Sequence, residues 1–110
     1  MDKRIREPAV YIYERNASHE ALIEICAGLE EEGVPYAVYK MEENDVNHLA
    51  YNAANQSPLN VGIGITSSEA ALQIENCRIE NPVFHIQIEP NYCRRLGING
   101  ARAVKGGVFI

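Results

Sequence analysis

The chain has 110 residues, 46% of them hydrophobic and 23% charged, the size and composition of one soluble domain with one core. No apolar run approaches the ~20 residues that span a bilayer, and the basic start at Lys3, Arg4 and Arg6 leads into a short strand-like run rather than a signal peptide's apolar segment, so a cytoplasmic chain is expected. The net charge of −5 argues against general nucleic-acid binding, which rests on cationic contacts to phosphates.

Residues 9–13 form a β-rich run and read as the first strand. Asn16-Ala17-Ser18 offers an N-cap, with Glu20 in the first turn. Leu22, Ile25, Cys26 and Leu29 follow at the spacing of an amphipathic helix. Gly33 suits the C′ position and Pro35 cannot continue the helix. Residues 36–39 are the second strand, and a strand–helix–strand unit of this length predicts two parallel neighbours. Asp45 caps a second helix to about Gln56, with Val46, Leu49, Ala50 and Ala53 inward and Ser57-Pro58 ending it. Residues 61–65 are the third strand. The connection Thr66-Ser67-Ser68-Glu69 is too short for a parallel crossover, so a fourth strand over about 70–74 returns antiparallel. A fifth strand over 83–88 and a last helix from Pro90 to Gly106-Gly107 complete the chain. The predicted fold is a three-layer α/β domain over residues 1–110, with its core at about 9–107. Its five-stranded mixed sheet has the order 2-1-3-4-5 with strand four antiparallel, flanked by three helices.

Charge is unevenly distributed. Residues 1–15 hold four bases and three acids, residues 16–77 hold ten acids and one base (Lys40), and residues 78–110 hold five bases and two acids. Glu30-Glu31-Glu32 closes the first helix, where the helix dipole is already negative, at a cost of about 0.3–1 kcal/mol each if exposed. Carboxylates so placed suit a hard cation or basic groups across an interface; the alternative is a solvated, screened face. Arg94, Arg95, Arg102 and Lys105 line the last helix, either as a soluble exterior or as a positive contact surface for a protein.

Gly62 and Gly64 alternate along the third strand and leave one of its faces bare. No lysine or helix start follows them, which argues against a phosphate loop. Gly97 and Gly100 imply close packing of the last helix, most simply on that bare face. Cys26, Cys77 and Cys93 are odd in number and widely spaced, and read as buried small hydrophobes rather than a disulfide framework or zinc site. His19, His48 and His85 adjoin no nucleophile and form no HExxH, so no catalytic residue and no resident cofactor are proposed.

Three segments carry a resemblance. They are Gly28-Leu29-Glu30-Glu31-Glu32-Gly33-Val34-Pro35, Ser57-Pro58-Leu59-Asn60-Val61-Gly62-Ile63-Gly64-Ile65, and Leu96-Gly97-Ile98-Asn99-Gly100-Ala101-Arg102-Ala103-Val104-Lys105-Gly106. In this order and spacing the chain resembles the dehydratase medium-subunit family. Within the family it is similar to the short members that serve reactivating factors of coenzyme B12-dependent diol or glycerol dehydratase.

The resemblance implies a three-layer domain with a mixed five-stranded sheet. It also implies a non-catalytic role beside a large, chaperone-like ATPase subunit that carries magnesium and ATP or ADP, in a complex of two large and two small chains. The small chain would exchange with the dehydratase's medium subunit so that damaged cobalamin is released. A glutamate at the end of the first helix reaches magnesium in the large subunit in this family, and the matching position is Glu31, with Glu30 and Glu32 as neighbours. Two alternatives stand beside this: a shortened medium subunit of the dehydratase itself, and an RNA-binding domain of anticodon-binding-like topology, which the net charge opposes. Propanediol or glycerol as the client's substrate, and residence in a bacterial microcompartment, stay open.

Overall fold

Among the described residues five strands build one sheet in the order β2-β1-β3-β4-β5. β1 (Val10–Glu14) lies between β2 (Tyr36–Lys40) and β3 (Val61–Ile65) and is parallel to both. β4 (Glu69–Ile74) and β5 (Phe84–Gln87) follow antiparallel, as the short connections predict. The computed structural model describes residues 8–110; the basic start at Lys3, Arg4 and Arg6 lies outside the described residues.

α1 (His19–Glu31) and α3 (Pro90–Lys105) cover one face of the sheet, and α2 (Val46–Gln56) covers the other. Strand alternation divides the core accordingly. Val10, Ile12, Ile63 and Leu72 pack with Ile25, Leu29, Cys93 and Leu96 under α1 and α3. Tyr11 and Tyr13 pack with Leu49 and Ala53 under α2, where their rings meet Tyr39 at centroid distances of 5.1 and 5.9 Å. Among the described residues no helix is long and apolar enough to cross a membrane.

The bare face of β3 meets α2, not the last helix. A Cβ on Gly62 would sit 2.1 Å from the Ala54 amide nitrogen, and one on Gly64 would sit 2.5 Å from that of Ala50. Alternation forces this pairing: Gly62 and Gly64 share a strand face with Tyr11 and Tyr13, the α2 face, while α3 lies over Ile63 on the opposite side. Gly97 serves a different contact, described below. A Cβ on Gly100 would lie 3.3 Å from Ile63 Cδ1, a tight contact with a side chain rather than with backbone.

The helix starts differ in chemistry. Ser18 caps α1 by accepting from the Ala21 amide. Asp45 holds the N-cap position of α2 but makes no side-chain cap bond; its carboxylate binds His48 Nδ1 at 2.5 Å instead. That hydrogen bond raises the pKa of His48 and lowers that of Asp45.

The glycine contacts predict that Gly62→Ala loses about 3 kcal/mol or more in urea unfolding, because the methyl meets backbone that cannot rotate away. Gly33→Ala should lose only about 1 kcal/mol, since nothing crowds that position and only its left-handed φ of +73° opposes a side chain. A Gly62→Ala loss no larger than that of Gly33→Ala would contradict the backbone contact. The Asp45–His48 pair predicts a pH window. The His48 contribution is fully present below its ordinary pKa of 6.5 and fades as pH rises through the raised folded value. The Asp45 contribution is present above 3.8 and fades as pH falls through the lowered folded value. His48→Gln should therefore lower Tm most between about pH 4 and 6.5 and least at pH 9. An equal deficit at both ends would refute the linkage.

Candidate functional site

The last turn of α1 contains no base to offset its dipole. The helix stops because Gly33 takes the left-handed conformation, and the amides of Gly33 and Val34 return to the carbonyls of Glu30 and Leu29. Three consecutive carboxylates therefore crowd a negative helix end.

α3 supplies the missing cations. It crosses α1 at backbone distance, because Gly28 and Gly97 face each other: a Cβ on Gly97 would lie 2.1 Å from the Ile25 carbonyl oxygen, and one on Gly28 would lie 2.3 Å from that of Arg94. The crossing brings Arg94 Nε to 3.1 Å from Glu24 and Arg94 Nη1 to 3.5 Å from Glu31. Arg102 and Lys105 stand 3.5 and 3.3 Å from the Glu32 carboxylate. Lys105 Nζ also donates to the Glu32 main-chain carbonyl at 2.9 Å, capping α1 from a neighbouring helix.

The three acids are thus not equivalent. Glu32 is largely covered and held by two bases. Glu30 accepts the Tyr36 hydroxyl at 2.5 Å, and that hydrogen bond pushes the Tyr36 phenol far above its ordinary pKa. Glu31 has a single long contact to Arg94, and its side chain is 54% exposed. Glu30 and Glu31 are both exposed, and of the two Glu31 has the weaker tether and so more of its coordination capacity free.

A hollow lined by His19, Leu22, Ile23, Cys26, Ala27, Glu30 and Tyr36 adjoins these acids. Burial is the main cause that pushes the thiols of Cys26 and Cys93 upward, so neither is poised as a nucleophile. His85 binds Glu69 at 2.6 Å. Among the described residues no three His, Cys, Asp or Glu side chains gather to hold a metal ion. A metal at Glu31 would take at most two such side chains from the described residues and the rest from elsewhere.

The four basic residues of α3 separate in the same way. Arg94, Arg102 and Lys105 are engaged with α1, whereas Arg95 is exposed and has no acidic partner among the described residues. Sequence reasoning missed Gly28 as the partner of Gly97, although a glycine inside a helix is itself a signal of close approach. It also missed Glu14, buried at the end of β1, where its carboxylate accepts the Ala17 amide.

Comparison with known proteins agrees with this geometry. The chain is 34% identical over 111 residues to the propanediol dehydratase-reactivating factor small subunit of Citrobacter freundii, covering 99% of this chain and 96% of that one. It is 35% identical over 89 residues to the diol dehydratase-reactivating factor small subunit of Klebsiella michiganensis, covering 78% and 70%. Among solved structures it superposes on a chain of the diol dehydratase-reactivating factor complexed with ADP and Mg2+, with a TM-score of 0.88 and 30% identity over 96% of this chain and 99% of that one. It superposes equally well on a chain of a glycerol dehydratase reactivase, with a TM-score of 0.88, 31% identity and 94% and 97% coverage. The sequence matches the profile of the dehydratase medium subunit over residues 7–109, and the chain belongs to that family.

Proposed function

We propose that this chain is the small, non-catalytic subunit of a reactivating factor for a coenzyme B12-dependent diol or glycerol dehydratase, working in the cytoplasm. The observation that carries this reading is agreement over nearly the whole length of both chains with small subunits and solved structures that bear that name. Length also favours it over the reading as a shortened medium subunit of the dehydratase, because the chain fills 96% to 99% of those relatives.

In this reading the chain docks on a large ATPase subunit, two of each forming the complex, and that subunit carries magnesium and ATP or ADP. The dehydratase's medium subunit belongs to the same family and competes for the same place. Nucleotide state biases which of the two is held, by differential affinity alone. When the medium subunit is captured, the dehydratase opens and damaged cobalamin leaves.

Glu31 fits a role at that interface. A carboxylate oxygen is a hard ligand suited to magnesium, and Glu31 is half-exposed at the tip of α1. Its neighbours Glu30 and Glu32 are engaged within the chain and add negative potential behind it. Magnesium, when bound, would supply a divalent charge joining the two chains.

The test is Glu31→Ala in a co-purification with the large subunit in magnesium buffer. Affinity should fall at least about tenfold, the worth of one charge-assisted contact. Stability should change by less than about 1 kcal/mol, because only an exposed ion pair is lost. Unchanged affinity would remove Glu31 from the interface, and failure of the wild-type chain to co-purify would remove the assignment itself.

A further inference from the structure

Among the described residues β5 ends the sheet, and no strand pairs with its outer edge. Its register with β4 fixes which groups face outward. The Ile88 amide donates to the Ser68 carbonyl, in line with the pairings Ala70↔Ile86 and Leu72↔Phe84. In an antiparallel ladder bonding alternates, so the main-chain groups of His85 and Gln87 point away from β4. Both residues are exposed.

Beside that edge lies an apolar groove of about 320 Å³ between β5 and α3, floored by Phe84, Ile86 and Leu96 and rimmed by Tyr92 and Arg95. The chain's own tail shows what the groove accepts. Phe109 packs edge-on against Phe84 with centroids 5.2 Å apart, and the Ile110 amide donates to Oδ1 of the buried Asn99 at 2.8 Å. The tail leaves much of the patch open, since Tyr92 is 44% exposed and Ile110 55%.

We propose that the β5 edge and this groove form a docking surface for an extended segment of a partner protein, one that alternates apolar and acidic side chains. The segment adds as a sixth strand, exchanging hydrogen bonds with the main chain of His85 and Gln87. Its apolar side chains enter the groove beside Phe84 and Ile86, and a carboxylate meets Arg95. Charge selects this occupant: Arg95 is the one base of α3 that lacks an acidic side-chain partner among the described residues, and the groove's lining contains no Asp or Glu. A second copy of the chain, paired through the same edge, would bring another Arg95 to the seam.

The test uses the full chain, labelled with nitrogen-15, and a synthetic ten-residue peptide of alternating leucine and glutamate. Adding the peptide should shift the amide signals of His85 and Gln87 and slow their hydrogen exchange at least fivefold. Arg95→Glu should weaken binding at least tenfold, as should lysine in place of glutamate in the peptide. Gln87→Pro removes one outward amide, a change that an edge strand tolerates, and should abolish binding with Tm nearly unchanged. Unmoved β5 amides at millimolar peptide would overturn the proposal. So would equal binding of the lysine peptide, or protection of β5 by self-association at rising concentration of the chain alone.

Discussion

The contact on which the rest of the molecule depends is the crossing of α1 and α3 at Gly28 and Gly97. Two helices with ordinary side chains pack at 8–10 Å between axes. Here the main chain of one helix touches that of the other, with no room for even a methyl group at either glycine. This closeness lets a single pair of helices cover one face of a five-stranded sheet. It also sets the reach of the side chains above it. Arg94, Arg102 and Lys105 meet the acids of α1 because the two backbones are near enough for their side chains to span the gap.

From that crossing follows the electrostatic character of the helix end. An acidic run at a helix C-terminus is unfavourable in isolation, yet here the opposing helix places cations on it and one of them caps its last carbonyl. Glu30 and Glu32 are fixed by their partners, and Glu31 stands between them with the weakest tether. Glu31 is thereby presented on a held base, at little entropic expense, while its own oxygens stay accessible. The proposed role as a ligand to a shared metal would draw on such a held base, because a helix end that is already ordered loses less on binding.

Much of this was legible in the sequence, and the exceptions have physical causes. Each element had a local signal: the period of Leu22, Ile25 and Leu29, the cap at Ser18, and the short Thr66–Glu69 turn that forces an antiparallel return. The unusual acids at 30–32 were visible for the same reason, since they contradict a local rule. What stayed hidden was pairing across the fold. The bare face of β3 demanded a close neighbour but did not say which helix, and that depends on which way alternating side chains point once the sheet is assembled. Likewise Arg94, Arg102 and Lys105 read as an outer surface, because a charge pattern along one helix carries no information about the helix beside it. The groove at β5 was equally invisible, because it forms only when α3 and the tail after it fold back beside the strand.

The seat of α2 on β3 has a mechanical consequence. Where Ala53 and Ala54 rest directly on Gly62, there are few rotamers to rearrange, and close-packed interiors of this kind yield little under load. Such a domain cannot soften one side to suit a new neighbour. If two hosts hold it or its relative in turn, the adjustment that distinguishes them lies in the hosts. In that case the chain would serve as a gauge of fixed shape, with the partner's conformation measured against it.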